Sequence, residues 1–150
     1  MSKVYPVYDN TFEIEISADT MAPIAEMETF SVSIDNGIEE WNPMEAKGWV
    51  KRLLTSKSLS VSLSGKRCFG DPGNDYVAGL AWAEGLGANS KFKWIMPDSK
   101  KTTVEIDCVV NVTTFGGDST AVDALEIEIL SNGKPKVTQD GVEINADETE

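Results

Sequence analysis

The chain contains no histidine among its 150 residues. That removes the commonest general base, the usual metal ligand and any Ser-His or Cys-His nucleophile pair. Cysteine is nearly as scarce. Cys68 and Cys108 form neither a CxxC nor a metal-binding spacing, so two free thiols in a reducing compartment are expected. Positive charge is short as well: 13 Lys and Arg stand against 25 Asp and Glu, for a formal net charge of −12. This field opposes any role that draws affinity from neutralised phosphates, although it is compatible with DNA sliding past. Long apolar runs are missing too. Nothing approaches the roughly 20 residues of a membrane helix, and Met1-Ser2-Lys3-Val4-Tyr5-Pro6 lacks the apolar core of a signal peptide. Cytoplasmic synthesis and residence, with no membrane partner, are the default expectations.

What is present is an ordinary apolar fraction of 41%, which suits one globular domain over residues 1–150. The most informative pattern is an alternation of apolar and acidic residues. It occurs in Phe12-Glu13-Ile14-Glu15-Ile16, in Val104-Glu105-Ile106-Asp107-Cys108 and in Leu125-Glu126-Ile127-Glu128-Ile129. Successive strand side chains point to opposite faces, so each segment has one apolar and one negative face. Like charges facing each other across strands cost free energy, so an isolated domain gains nothing by collecting them. Two readings stand: a solvated sheet face kept soluble by carboxylates, or a wall that repels anions.

Further strands are expected at Phe30-Ser31-Val32-Ser33-Ile34, ending at the turn signal Asn36-Gly37, and at Ser58-Leu59-Ser60-Val61-Ser62-Leu63-Ser64, whose polar face is all serine. Phe92-Lys93-Trp94-Ile95-Met96 makes a sixth, ended by Pro97. One helix is expected, capped by Asp71 or Asn74 with Pro72 in its first turn. It carries Tyr76, Val77, Leu80 and Ala81, with Trp82 close by, until Gly85 and Gly87 end it. Tyr76, Leu80 and Trp82 are expected to close the core.

Residues 37–57 read as a long connection of the kind that is often functional. Its Trp41 and Trp49 are either anchors for a partner surface or folded back onto the domain. Residues 134–150 read as a loose tail. No catalytic constellation emerges. Asp71-Pro72-Gly73-Asn74-Asp75 lacks the spacing and terminal glutamate of an EF-hand and reads as a cap and turn. Gly116-Gly117-Asp118 reads as a hairpin turn. The expectation is a non-enzymatic chain with no cofactor and no metal.

An ordered set of segments carries a family resemblance. It begins at Trp49-Val50-Lys51-Arg52-Leu53-Leu54-Thr55 and runs through the serine strand and Gly65-Lys66-Arg67 into Gly70-Asp71-Pro72-Gly73-Asn74-Asp75-Tyr76-Val77. It closes with Phe115-Gly116-Gly117-Asp118 and Gly133-Lys134-Pro135. With these in order, residues 11–135 resemble the tail tube (major tail) proteins of long-tailed bacteriophages and prophages of Gram-positive bacteria. No single motif is diagnostic.

The resemblance implies a mainly β, β-sandwich or barrel-like fold with one short flanking α-helix, a long inter-strand loop and extended termini. It implies a structural virion protein that assembles in the host cytoplasm into stacked, six-membered rings. These would form a hollow tail tube whose negative lumen passes DNA as cargo. Glu13, Glu15, Glu105, Asp107, Glu126 and Glu128 become candidate lumen residues. The loop 37–57, with Trp41 and Trp49, becomes a stacking element, and residues 1–10 and 134–150 become arms. Lys51, Arg52, Lys66 and Arg67 become candidate contacts to neighbouring subunits. Implied partners are further copies of the chain and the tape measure, tail terminator and distal tail proteins. A tube subunit of a contractile tail or injection device, and a monomeric carbohydrate- or ligand-binding β-sandwich, are the alternatives.

Overall fold

A computed structural model describes residues 2–145. Each of the six expected strands is present, and most are longer than the alternation suggested. β1 (Thr11–Ser17) and β2 (Thr20–Pro23) form a short hairpin, while β3 (Met27–Trp41) and β4 (Lys51–Lys66) form a much longer one. Helix α1 (Pro72–Gly79) follows, then β5 (Asn89–Ile95), β6 (Thr103–Gly116) and β7 (Ala124–Ser131). Two short strands, β8 (Lys136–Gln139) and β9 (Val142–Glu143), come last. All pairings are antiparallel, in the order β2-β1-β5-β6-β7-β4-β3, with β8 added to β6 and β9 to β8.

The two ends of this order curl towards each other. Phe12 of β1 and Phe30 of β3 have ring centroids 4.6 Å apart, and Phe30 lies 5.4 Å from Trp94 of β5. The sheet is thereby rolled around the apolar halves of the alternating segments: Ile14, Val61, Leu63, Phe92, Ile106, Leu125, Ile127 and Ile129 are fully buried. A cleft of about 440 Å³ marks the seam between β3 and the β1–β2 hairpin. Such a rolled, mainly β sheet with one helix is the expected fold class.

β6 serves two walls. Its first half pairs with β5, up to Val109 opposite Asn89, and its second half pairs with β7, from Cys108 to Gly116. A bulge at Thr113 moves Phe115 onto the face of Leu125, its cross-strand partner.

The helix starts where expected, because the Asp71 carboxylate accepts the Asn74 N–H at 2.9 Å and Pro72 needs no partner in the first turn. The same oxygen accepts the Ala25 N–H at 3.2 Å. Asn74 is fully buried and donates to the Ala25 and Lys66 carbonyls, both at 3.0 Å. Its oxygen accepts from Arg67 at 2.9 Å and from the Cys68 N–H at 3.0 Å. This side chain joins the helix, the β2–β3 link and the end of β4. Val77 and Ala78 enter the core with Tyr76 and Leu80 beside them. Trp82 does not. It stands 82% exposed on the 3-10 turn Leu80–Trp82, because α1 ends at Gly79 and the tighter turn swings the indole off the core.

Three expectations need correction. Asn36-Gly37 is not a turn, and 37–57 is not a long loop. β3 runs on to Trp41 and β4 starts at Lys51, leaving only 42–50 as the tip. Gly37 instead marks a bulge opposite Ser56 and Thr55, where a Cβ would collide with the Ser56 hydroxyl. Leu53 and Leu54 lie on opposite faces of this exposed stretch, so no apolar alternation marks the strand there. The tail 134–150 is not loose over its described part. β8 pairs with Thr103–Glu105, and Asn145 accepts the Val137 N–H at 2.8 Å while donating to the Pro135 carbonyl at 2.7 Å. The rest of that proposed arm, and Met1 of the other, lie outside the described residues. Within residues 2–10, Asn10 is tied to the Trp94 indole N–H at 2.9 Å, whereas Val4 and Tyr8 are exposed.

Candidate assembly surfaces

The polar sides of the strands form two chemically different walls. Across β3, β4, β7 and β6 the register lines up Ser31, Ser62, Glu128 and Asn111 in one row, and Thr29, Ser64, Glu126 and Thr114 in the next. Ser33, Ser60, Leu130 and Val109 make a third row, and Asp35 faces Ser58 beyond it. These rows hold no lysine or arginine; in the next one past Ser64, Lys66, opposite Ala124 on the same face, pairs with Glu28 at 3.2 Å. Glu128 accepts from the Asn111 amide at 3.3 Å and Glu126 from the Ser64 hydroxyl at 3.4 Å. The carboxylates are held by neutral donors and keep their full negative field.

The other four acidic candidates share a different wall. There the register runs Glu13, Lys93, Glu105, Lys136 across β1, β5, β6 and β8, with Lys91 opposite Asp107 in the adjoining row. Glu15 lines the same shallow surface as Lys91 and Asp107. Each carboxylate in the longer row has a lysine for a neighbour, so attraction replaces the repulsion expected from the sequence. The six residues therefore do not form one acidic face.

The four-stranded wall has an open edge on each side. Among the described residues the outer edge of β3 pairs with no strand, and the β5 ladder on β6 stops at Val109, leaving 110–116 without a strand partner on that side, where the 3-10 turns Leu80–Trp82 and Gly85–Ala88 pack against β6. Edges of this length are templates for another chain. On β3 the stretch 31–41 has acidic residues but neither lysine nor proline to blunt it.

Past Ile34 and Leu59 the β3–β4 hairpin leaves the barrel as a two-stranded arm, since β4 pairs with β7 only from Ser60. Seven residues of extended chain carry it about 24 Å. Its tip exposes Met44 at 95% and Trp49 at 80%, with Trp41 half exposed. Neither tryptophan folds back onto the core.

Of the four basic candidates, three are engaged within the chain. Arg52 pairs with Glu40 across the arm at 2.9 Å, and Lys66 with Glu28 at 3.2 Å. Arg67 is largely buried, 2.8 Å from Asp75 and 4.0 Å above the Phe69 ring. Lys51 stands at the arm tip opposite Trp41. Sequence reasoning missed the open edges, which become visible only once pairing is known, and the exposed stack of Trp82 on Phe115.

Two titratable groups depart from their usual range. Burial pushes the Cys108 thiol up to about 12, helped by the Asp107 charge. Hydrogen bonds from the Thr102 hydroxyl and backbone hold Asp98 below the ordinary carboxylate value. Cys68 is a free, partly exposed thiol. Among the described residues no group of three or more acidic or cysteine side chains is placed to hold a metal ion.

No protein-family model and no curated protein matches this sequence. Solved structures do match. A chain from the tail of an empty gene transfer agent particle, refined helically with C6 symmetry, superposes with a TM-score of 0.75 at 16% identity, over 90% of this chain and 99% of that one. This chain shares the fold of that tail chain. A chain of the native gene transfer agent virion gives 0.74 at 17%, with the same coverage, and the tube-terminating cap of an anti-feeding prophage gives 0.63 at 12% over 93% of both chains. The tail-particle fold thus spans gene transfer agents and an anti-feeding prophage. The likeness is one of fold, and it does not single out tails of Gram-positive phages.

Proposed function

We propose that the chain is a non-enzymatic structural subunit of a phage-like tail tube. Copies join side by side into closed rings, and the rings stack. The observation that carries this reading is the pair of open edges on opposite sides of one four-stranded wall, which lets copies add head to tail until the sheet closes and no edge remains. The tail-particle fold supports it, as does the C6 symmetry of the gene transfer agent tail. In such a ring the serine-rich wall, whose Lys66 is paired with Glu28, faces the lumen, so Glu126, Glu128 and Asp35 are the lumenal carboxylates. Glu13, Glu15, Glu105 and Asp107 lie on the lysine-balanced wall, away from it. A lumen in which carboxylates outnumber cations offers phosphates little to neutralise them, and DNA passes as cargo.

The β3–β4 arm, with Trp41, Trp49, Met44 and Lys51, bridges successive rings. Tape measure, terminator and distal tail proteins meet the tube ends, and the working location is the virion tail after assembly in the host cytoplasm. Negative-stain electron microscopy with size-exclusion chromatography, at high and low concentration, tests the reading. Rings or tubes are expected. A strict monomer at every concentration, alone and with tail-tip proteins, would overturn it and favour a ligand-binding module. The fold shared with the anti-feeding prophage cap makes a tube of an injection device the second reading; co-assembly with a sheath protein would decide for it.

A further inference from the structure

The Trp82–Phe115 pair has no function inside the barrel. The rings lie 6.3 Å apart and within 10° of parallel, and both remain open to solvent, with Leu86 and Val122 also exposed. Phe115 shares the face of Leu125, on the core side of the wall, while Thr114 shares the face of Glu126 on the polar side. The pair therefore extends the core layer beyond the last strand, beside the stretch of β6 that the β5 ladder leaves open. A strand added there would place its core-side residues under the indole.

We infer that this aromatic plate is a docking surface for β3 of a second copy of the chain. The inference rests on the tube reading above and names the side chains that select the neighbour. β3 fits in its backbone, because among the described residues its outer edge has no strand partner. It also fits in its side chains. Ile34 and Ile38 continue the core-side parity of Val32 past the end of the barrel, where they are 56% and 53% exposed. Other open strands are poor matches: β2 has four residues and ends in proline, and β9 has two. Within one chain, plate and strand lie on opposite sides of the same wall and cannot meet. The contact is heterologous, with a donor side and an acceptor side on every copy.

That asymmetry gives the experiment. Trp82→Ala removes an exposed side chain, so its melting temperature should stay within about 2 °C of the unaltered chain. The concentration needed for assembly should rise about 30-fold, the effect of losing one interface anchor. Ile38→Asn should raise it comparably from the other side. Mixed at a concentration where each alone is monomeric, the two variants should form dimers that grow no further, because each supplies the side the other lacks. Sedimentation velocity reads all three results. Trp82→Ala assembling like the unaltered chain, or no dimer in the mixture, would overturn the plate and leave the tube standing. An unaltered chain that never assembles would overturn the tube reading and this contact with it.

Discussion

Replacing Asn74 by alanine should weaken the fold more than its size suggests. The side chain is fully buried and makes four hydrogen bonds, two to carbonyls and two from donors, one of them the Arg67 guanidinium. Alanine leaves the Ala25 and Lys66 carbonyls and the Cys68 N–H without that partner. A buried polar group left unpaired costs about 1–3 kcal/mol, and coupled losses add incompletely. A destabilisation of about 4 kcal/mol follows, near the upper end for single substitutions. For a chain of this length that lowers Tm by about 8–16 °C. Differential scanning calorimetry of the monomer, with far-ultraviolet circular dichroism to check the fold, gives the value. A loss under about 2 °C with native spectra would refute the view that Asn74 ties α1 to both hairpins.

Other consequences are separately measurable. Changing Glu126 and Glu128 together to lysine should leave rings intact but make the tubes retain DNA, with retention falling as salt rises; indifference to DNA at low salt would remove these residues from the lumen. In the native protein only Cys68 should react with a thiol reagent at pH 8, and both cysteines after unfolding, as Ellman titration would show. Because the native Cys108 value is raised, its contribution is fully present below about pH 9 and is lost as pH climbs towards about 12, which pH-dependent denaturation can follow. Asp98 has the opposite sign: its lowered value stabilises the 98–102 turn above the ordinary carboxylate pKa of 3.8, and this is lost as pH falls through the lower folded value. Asp98→Asn should flatten that acid limb and speed exchange of the Thr102 amide.

Strand identity was legible wherever apolar residues alternated without interruption, which is why β1, β4 and β7 were found with their inward faces assigned. The signal failed on the arm. Both faces of that hairpin meet solvent, so Leu53 and Leu54 stand on opposite faces and leave no apolar alternation to read. Asn36-Gly37 carried real turn chemistry, used by the structure to bulge a strand rather than to reverse it. Short strands such as β2 and β8 contain too few alternations to register. For the candidate sites, the presence of carboxylates was visible but their grouping was not. Whether Glu105 neighbours Lys93 or another acid depends on the pairing of β5 with β6, which no local pattern encodes. Trp82 sits at helical spacing from the core-facing residues of α1, but the helix ends at Gly79 and the 3-10 turn that follows changes the direction of the side chain.

The shared strand β6 has a mechanical consequence. Its first half belongs to the lysine-balanced wall and its second half to the serine wall, with the hand-over at Cys108 and Val109. A shear applied to either wall therefore loads one continuous backbone, and the covalent chain of β6 keeps the walls joined even where one of its two ladders yields. A tube built from such units would resist torque as a single shell, and its weakest line would lie between copies rather than through them.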